Sequence, residues 1–238
     1  YTYEKNLRVL PSFGVIPVFG AMGGMGKVEG LSFNFAMLLH GEQDITLHKP
    51  LPTAATVNNR SRVAEIWDKG KAAVIWSETT VNDPTGTLLW KQKRSIFARG
   101  EGGFGGDRGP STSQAAPDRA PDFELSARTS PSQAGLYRVC GDRNPLHSDP
   151  QFAAKGGFDR PILHGLCTFA MAARGLIEQI SPDAPEALRA ISGRFSRPVF
   201  PGETLRVTFW QQAGEVLFEA AVEERNLVVL TGGRARFA

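Results

Sequence analysis

The two halves of this chain repeat one another, and an internal duplication of this size constrains the fold more than any other feature of the sequence. The motif KPLP at 49–52 is matched by RPVFP at 197–201, and RSIFA at 94–98 is matched by RARFA at 234–238. The spacing between matching motifs shortens along the chain, as turns of different length would produce. Such long repeats indicate duplication of one fold unit rather than a solenoid of short repeats.

Alternating polarity predicts what the repeated unit contains. Between Thr204 and Trp210, the apolar residues Leu205, Val207 and Phe209 occupy every second position. This period of two is typical of a strand with one covered face. The pattern continues towards the C-terminus, and the first half repeats it with strands predicted near 56–67, 72–82 and 87–98. We expect antiparallel strands joined by short turns in a curled sheet.

One long amphipathic helix is the candidate for covering that face. Between Leu166 and Ile180, apolar residues recur at helical spacing and form a broad stripe. The helix is expected to stop at Ser181-Pro182, because proline cannot continue it. The first half shows no comparable helix, since Tyr1 to Leu39 is interrupted by prolines and repeated glycines. We predict an α+β fold of two curved antiparallel sheets, with the long central helix complete only in the second half and an apolar cavity beside the first.

Composition excludes several classes of function. The net charge is only +3 and the basic residues are scattered, so nucleic acid is not an expected partner. No uninterrupted apolar run reaches the ~20 residues that cross a bilayer, so a membrane is not expected either. The 2 cysteines, Cys140 and Cys167, have no metal-binding spacing and are expected to be small buried hydrophobes. No metal is predicted, and a reducing, cytoplasm-like compartment is favoured.

A segment of linker composition divides the chain. Residues 100–121 are rich in Gly, Pro, Ser and Ala and lack apolar periodicity. Their glycines superficially resemble a nucleotide-binding loop, but no regular strand–turn–helix unit encloses them. We predict an N-terminal, non-catalytic repeat over 1–99, a linker over 100–121 and a C-terminal catalytic repeat over 122–238.

The motif GDRNPLH at 141–147 brings three chemically useful side chains together. It places the acid Asp142, the amide Asn144 and the imidazole His147 within six residues. Upstream, the sequence beginning Ser130-Pro131 has the form of a capping box and predicts a short helix that delivers the chain into this motif. An acid and a base held close together suit the addition or removal of water beside a carbonyl group.

A His-Gly pair begins the predicted long helix. The N–H of Gly165 would lie at the positive end of the helix dipole, directly after His164. Glycine also lets a ligand carbonyl approach the backbone closely. This backbone N–H is therefore a candidate donor to negative charge that develops on a substrate oxygen.

These motifs together resemble a known family. GDRNPLH, followed by FDRPILHGLCT at 158–168 and RFSRPVFPGETL at 194–205, resembles the MaoC-type (R)-specific 2-enoyl-CoA hydratases. The first half supplies LLHGEQDITLHKPLP at 38–52 and a DKG turn at 68–70. These segments are similar to the two-repeat form found in the hydratase domain of the peroxisomal multifunctional enzyme. The resemblance implies a double hotdog fold in which each half is one hotdog.

The resemblance also implies a reaction and its residues. Asp142 and His147 correspond to the family's catalytic acid and base, and Gly165 corresponds to its oxyanion position. The pair would hold the water that adds across the double bond of a trans-2-enoyl-CoA, giving the (R)-3-hydroxyacyl-CoA, with dehydration as the reverse. No cofactor is implied, because the CoA thioester is itself the substrate. Contacts to the acyl-CoA are expected from His40, Gly41, Lys69, Arg143, Asn144, Pro145, Leu146 and Phe195.

The family relationship leaves assembly, location and some alternatives open. A homodimer is expected, in the cytoplasm or, in a eukaryote, in the peroxisome. One alternative is a dehydratase acting on acyl-carrier-protein substrates in a synthetic pathway. Another is a non-catalytic thioester-binding module, which would predict a degraded pair, whereas Asp142 and His147 are both present. A thioesterase on the same fold is disfavoured by the GDxNPLH turn.

Overall fold

The computed structural model describes residues 34–52, 54–111 and 115–238, and over these ranges nine strands form one antiparallel sheet. The first half contributes β1 (Leu38–Leu47), β2 (Asn58–Asp68), β3 (Ala72–Asn82) and β4 (Leu88–Arg99). The second half contributes β5 (Phe123–Arg128), β6 (Leu188–Phe195), β7 (Thr204–Gln212), β8 (Glu215–Val222) and β9 (Leu227–Phe237). The helices are α1 (Gln133–Val139), α2 (Pro150–Lys155) and α3 (Gly165–Ile180), with short 3-10 turns at Phe35–Met37, Pro145–His147 and Pro185–Ala187.

The strand order confirms the duplication. Across the sheet the strands run β2-β3-β4-β1-β6-β9-β8-β7-β5. Outward from a central seam, the order β1-β4-β3-β2 of the first half is repeated by β6-β9-β8-β7 of the second, and β5 adds an edge strand to the second half. The seam is the antiparallel ladder between β1 and β6, where Gln43 lies opposite Gly193 and Ile45 lies opposite Ile191. The two halves are therefore joined by backbone hydrogen bonds into one continuous sheet.

The long helix α3 covers the concave face of the second half, as predicted. Its side chains at Phe169, Ala172, Ala173 and Leu176 are almost fully buried and form a core with the apolar faces of β6 to β9. Gly175 lets the helix pack closely on β5, because a Cβ there would lie 2.5 Å from the end of the Leu125 side chain, which would have to move. Burial of this apolar stripe is the main stabilising contribution to the second half.

The concave face of the first half differs in character. Its apolar cluster is small and consists of Leu38, Ala73, Ile96 and Ala98. The same face carries buried polar side chains, namely Gln43, Thr79, Gln92 and Arg94. The prediction of a reduced central helix within Tyr1 to Leu39 lies almost entirely outside the described residues, where only the turn Phe35–Met37 and the start of β1 are seen.

Some elements differ from the sequence predictions. Strands β1 and β5 were not predicted, and the exposed thiol of Cys140 contradicts the expectation that both cysteines are buried. The matched arginines Arg94 and Arg234 lie on opposite faces of the sheet. Arg94 lies on the concave face opposite Gln43, whereas Arg234 lies opposite Ser192 on the other face. Register shifts in β1 and β6 change which face a given position occupies, because strand side chains alternate with a period of two.

The first part of the predicted linker is held against the first half. The carboxylate of Asp68, in the β2–β3 turn, accepts hydrogen bonds from the backbone N–H groups of Gly70, Gly103 and Gly105 at 2.7–2.8 Å. These bonds lower the pKa of Asp68. The glycine-rich loop therefore wraps a carboxylate of its own chain. The domain boundaries at 99 and 122 stay a prediction.

Candidate active site

The short helix α1 positions the catalytic motif. As a capping box requires, the Gln133 side chain accepts a hydrogen bond from the N–H of Ser130 at 3.4 Å. Helix α1 nevertheless begins at Gln133, two residues later than the proline-first pattern predicts, and its N-cap is Ser132. The helix ends at Val139, and Gly141 then adopts a φ of 121°, which favours glycine. This sharp exit turns the chain into Asp142.

Two side-chain hydrogen bonds fold the motif into a compact turn. The Asp142 carboxylate accepts from the N–H of Asn144 at 3.0 Å. The Asn144 side-chain oxygen in turn accepts from the N–H of Leu146 at 3.0 Å and caps the turn at Pro145–His147. Leu146 is buried and anchors the turn to a small apolar cluster. The sequence prediction that Asp142, Asn144 and His147 share one turn is therefore confirmed.

The hydrogen bonding of His147 selects its tautomer. Nδ1 lies 2.8 Å from the carbonyl oxygen of Ile162, so Nδ1 carries the hydrogen and donates it. In the neutral ring, Nε2 then holds a free lone pair. Burial lowers the pKa of His147 below its ordinary value, although the Ile162 contact and the charge of Asp142 oppose that shift. The imidazole is therefore a neutral base at physiological pH.

His164 completes the group and is the residue whose importance the sequence analysis missed. The centroid of its ring lies 3.7 Å from that of His147, on which it stacks, and 4.4 Å from that of Tyr137. Its Nε2 lies 3.9 Å from the Asp142 carboxylate, and neither ring nitrogen has a hydrogen-bond partner among the residues that the structure describes. Burial lowers the pKa of His164 to about 2, so the ring stays neutral. The His-Gly pair was the available signal, but sequence spacing does not reveal ring stacking.

The carboxylate and the two imidazoles enclose a space suited to one small polar molecule. Potential ligand atoms of Asp142, His147 and His164 all lie within 4.8 Å of one another. A water molecule needs two to four polar partners in a confined site, and this arrangement offers them. The lone pair on Nε2 of His147 and the carboxylate of Asp142 can both accept hydrogens from such a water.

Gly165 supplies a backbone donor at the first position of α3. Its N–H stands at the positive end of the helix dipole, where the first turn of a helix has unpaired N–H groups. A Cβ at this position would lie 3.3 Å from the Phe195 ring. A larger side chain would therefore narrow the approach of a ligand to the backbone here.

A cavity of about 800 Å³ connects these groups with the first half. Predicted site residues from both halves line it, namely His40, Gly41, Lys69, Asp142, Asn144, Leu146, His147, Gly165 and Phe195. Arg143 and Pro145 do not line it. Arg143 is exposed, and its carbonyl accepts a hydrogen bond from Arg138 at 2.9 Å. His164 joins the lining although it was not predicted as a site residue.

Lys69 marks one end of the cavity. Its ammonium group lies 5.0 Å from the centroid of the Trp67 ring and donates to the carbonyl of Pro110 at 3.3 Å. The side chain is half-buried and lines the cavity, so its charge is within reach of an anionic group bound there. The part of the chain that is described contains no helix long and apolar enough to cross a membrane.

Comparison with known proteins matches the two halves to two family models. The MaoC like domain matches residues 112–232, and the MFE-2 hydratase 2 N-terminal domain matches residues 1–100. An enoyl-CoA hydratase of Mycobacterium tuberculosis is 45% identical over 235 residues, covering 98% of this chain and 82% of that protein. The mouse peroxisomal multifunctional enzyme type 2 is 42% identical, with 97% of this chain covering 32% of the enzyme.

Solved structures agree with this result. A MaoC-like dehydratase from Phytophthora capsici superposes with a TM-score of 0.80 at 39% identity, covering 87% of this chain and 71% of that one. A protein of Mycobacterium tuberculosis described as a double hotdog superposes with a TM-score of 0.56 at 14% identity, covering 85% and 76% of the two chains. At that identity the likeness shows the fold alone. The predicted double hotdog fold is confirmed.

Proposed function

The chain belongs to the MaoC-like dehydratase family, and from this premise we propose that it catalyses the reversible syn hydration of trans-2-enoyl-CoA to (R)-3-hydroxyacyl-CoA in fatty-acyl metabolism. The chain is thus a hydro-lyase. One observation supports the assignment most strongly. Asp142 and the free Nε2 of His147 border one small polar space in a cavity that also receives the N–H of Gly165.

The geometry supports a reaction in which His147 takes one proton from water and returns it to the substrate. Nε2 of His147 accepts one proton from a water molecule while the water oxygen bonds to C3 of the substrate. Asp142 accepts a hydrogen bond from the same water, and its negative charge stabilises the imidazolium that forms. The electron pair of the double bond moves to the thioester oxygen. The imidazolium then returns its proton to C2 on the same face, so the ring ends neutral and the product carries both hydrogens of the water.

The thioester oxygen gains negative charge during this reaction. The N–H of Gly165 at the start of α3 is the proposed donor to that charge, and the helix dipole adds to it. A single oxyanion donor of this kind typically contributes about 3–4 kcal/mol to lowering the barrier. The Phe195 ring lies beside Gly165 in the wall of the same cavity.

The remaining parts of the proposal concern binding and setting. Lys69 is placed to meet a phosphate of CoA at the cavity entrance, while the first half forms the wall along the acyl chain. The substrate thioester needs no further cofactor. We also propose that the protein acts as a homodimer in the cytoplasm, or in the peroxisome if its source is a eukaryote.

The test follows the conjugated absorbance of crotonyl-CoA and of longer trans-2-enoyl-CoAs. The protein is expected to remove this absorbance and to yield the (R)-3-hydroxy product in chiral analysis. Asp142→Asn should lower kcat about 1000-fold, because the charge that stabilises the imidazolium is lost. Asp159→Asn makes the same chemical change at an exposed position and serves as the control. Near-normal turnover of Asp142→Asn with unchanged circular dichroism would contradict the proposal.

A further inference from the structure

The concave face of the first half carries a polar group where the second half is apolar. Gln43 on β1, Arg94 on β4 and Ser77 on β3 lie side by side across three neighbouring strands. All three point to the same face as Ile45, which packs against the core beneath α3. Gln43 and Arg94 are 4% and 5% exposed. This polar row is therefore inside the molecule, where polar groups require partners.

Among residues 34–52, 54–111 and 115–238, Arg94 has one side-chain hydrogen-bond partner and no ion pair. Its Nε donates to Ser77 Oγ at 3.1 Å, and within the described ranges no carboxylate lies within salt-bridge distance of it. Burial lowers the pKa of Arg94 below its ordinary value, but guanidinium remains charged in proteins. A buried cation without a counter-charge costs several kcal/mol. Arg94 also lines the cavity, so its side chain is within reach of a ligand there.

Arg94 is connected to the catalytic group through the same cavity. From the proposed oxyanion donor Gly165, the wall continues to the Phe195 ring and then to His40, whose ring centroid is 4.9 Å from that of Phe195. His40 is close enough to Arg94 for the guanidinium charge to contribute to lowering the pKa of His40 to about 3. His40 is thus neutral, and its Nε2 donates to the carbonyl of Glu42 at 3.1 Å. A chain that starts at Gly165 and passes Phe195 and His40 meets Arg94.

We propose that this cavity accepts acyl chains that carry a carboxylate distant from the thioester, and that Arg94 binds this carboxylate. The proposal rests on the hydratase function and names its substrate class as CoA monothioesters of 2-enoic dicarboxylic acids. Guanidinium pairs with carboxylate through two parallel hydrogen bonds, and desolvation strengthens such a pair. The phosphates of CoA are assigned to Lys69 instead, because Lys69 is only half-buried in the cavity wall whereas Arg94 is 5% exposed.

The experiment compares matched substrates that differ only at the far end of the acyl chain. A series of trans-2-enoyl-CoAs of increasing length is prepared with either a terminal methyl or a terminal carboxylate. In the unaltered protein, we expect one length at which the carboxylated substrate has the higher kcat/KM. Arg94→Met should lower kcat/KM for that substrate about 30-fold more than for its methyl-terminated partner. Arg94→Lys, which keeps a charge but not the fork of donors, should lose less.

A neighbouring cation provides the matched control. Lys93 lies on the same strand but on the opposite face, pairs with Glu78 at 2.9 Å and is half exposed. Lys93→Met should therefore change the ratio of kcat/KM for the two substrates by less than about twofold, which is roughly the effect of losing a surface ion pair. If Arg94→Met changes both substrates equally, or if the unaltered protein never favours the carboxylate, Arg94 does not bind it. If the unaltered protein hydrates no enoyl-CoA at all, the hydratase assignment itself fails instead.

Discussion

The two halves of the sheet share one strand order and differ in what fills their concave faces. In the second half, α3 covers an extensive apolar core that includes Phe169, Phe209 and Phe218. In the first half, the apolar cluster has only four members and a row of polar side chains lies beside it. The proposed chemistry uses groups of the second half only, whereas the first half supplies a wall for the substrate. The two halves thus share one architecture, but the second half contributes most of the apolar core and the first half contributes polar groups to the cavity wall.

The largest expected difference between the halves is in catalysis. Each half has a His-Gly pair near the cavity, but only the second half also has His147. His147→Gln should lower kcat about 1000-fold, because amide nitrogen cannot take a proton from water. His40→Gln should act mainly on KM, with kcat kept within about tenfold, because the role proposed for His40 is to contact substrate without handling protons. Steady-state kinetics on one enoyl-CoA measure both. A comparable loss of kcat in both variants would contradict the division of roles.

A smaller difference is expected in stability. Ile191 and Ile96 are equally buried isoleucines, at 2% and 4% exposure, in the large and the small cluster respectively. Ile191→Ala should lower the free energy of unfolding by about 4 kcal/mol and Ile96→Ala by about 2 kcal/mol, because the cavity left at Ile191 is closed on all sides by core residues. Urea denaturation measures both values. If Ile96→Ala proves the more destabilising, the first half has a more extensive core than the described cluster.

The smallest expected difference between the halves is in how the stability contributed by a buried histidine depends on pH, which should be similar in both. His40 and His164 both have a pKa far below the ordinary 6.5, at about 3 and about 2, so only the unfolded chain takes up their protons. The contribution of these two histidines to the free energy of unfolding is fully present above pH 6.5. It decreases as the pH falls towards their pKa values in the folded protein. Each histidine should make the free energy of unfolding fall by about 1 kcal/mol per pH unit in this range.

Single replacements isolate each contribution. His40→Phe and His164→Phe should each give a shallower dependence of unfolding free energy on pH between about 6 and 4. Urea denaturation at several pH values provides the slopes. Because both rings are neutral and buried, the two slopes should change by similar amounts. A variant whose slope equals that of the unaltered protein would show that its histidine titrates normally in the folded state.

Local patterns predicted most of the strands, the long helix and the catalytic turn. Alternation of apolar residues is a property of neighbouring positions, and it gave β2 to β4 and β7 to β9 close to their observed bounds. The turn from Asp142 to His147 was likewise predictable, because its hydrogen bonds join residues two positions apart. The sequence also suggested that the His-Gly pair begins α3, because the apolar stripe of helical spacing starts directly after it at Leu166.

Features that depend on distant pairing were not predicted. The stacking of His164 on His147 requires the turn and the start of α3 to meet, which no local signal encodes. The repeat in the sequence matches Arg94 to Arg234. The concave position of Arg94 depends on register shifts within the sheet, which the repeat does not show. Arg234 lies on the other face and pairs with Glu215 at 2.8 Å. Strand β1 was missed because its residues are half-buried on both sides and do not alternate clearly.

The ladder between β1 and β6 also restricts how a ligand can enter. Two domains that contact each other only through side chains can rotate apart. Here the two halves are joined by a row of backbone hydrogen bonds from the pair Glu42–Arg194 to the pair Thr46–Ala190. Such a row does not hinge without breaking several bonds at once. Since Glu42 and Arg194 also border the cavity, its floor is fixed. The proposed CoA ester would therefore have to enter this cavity, whose wall includes Lys69 and Pro110, without separation of the two halves.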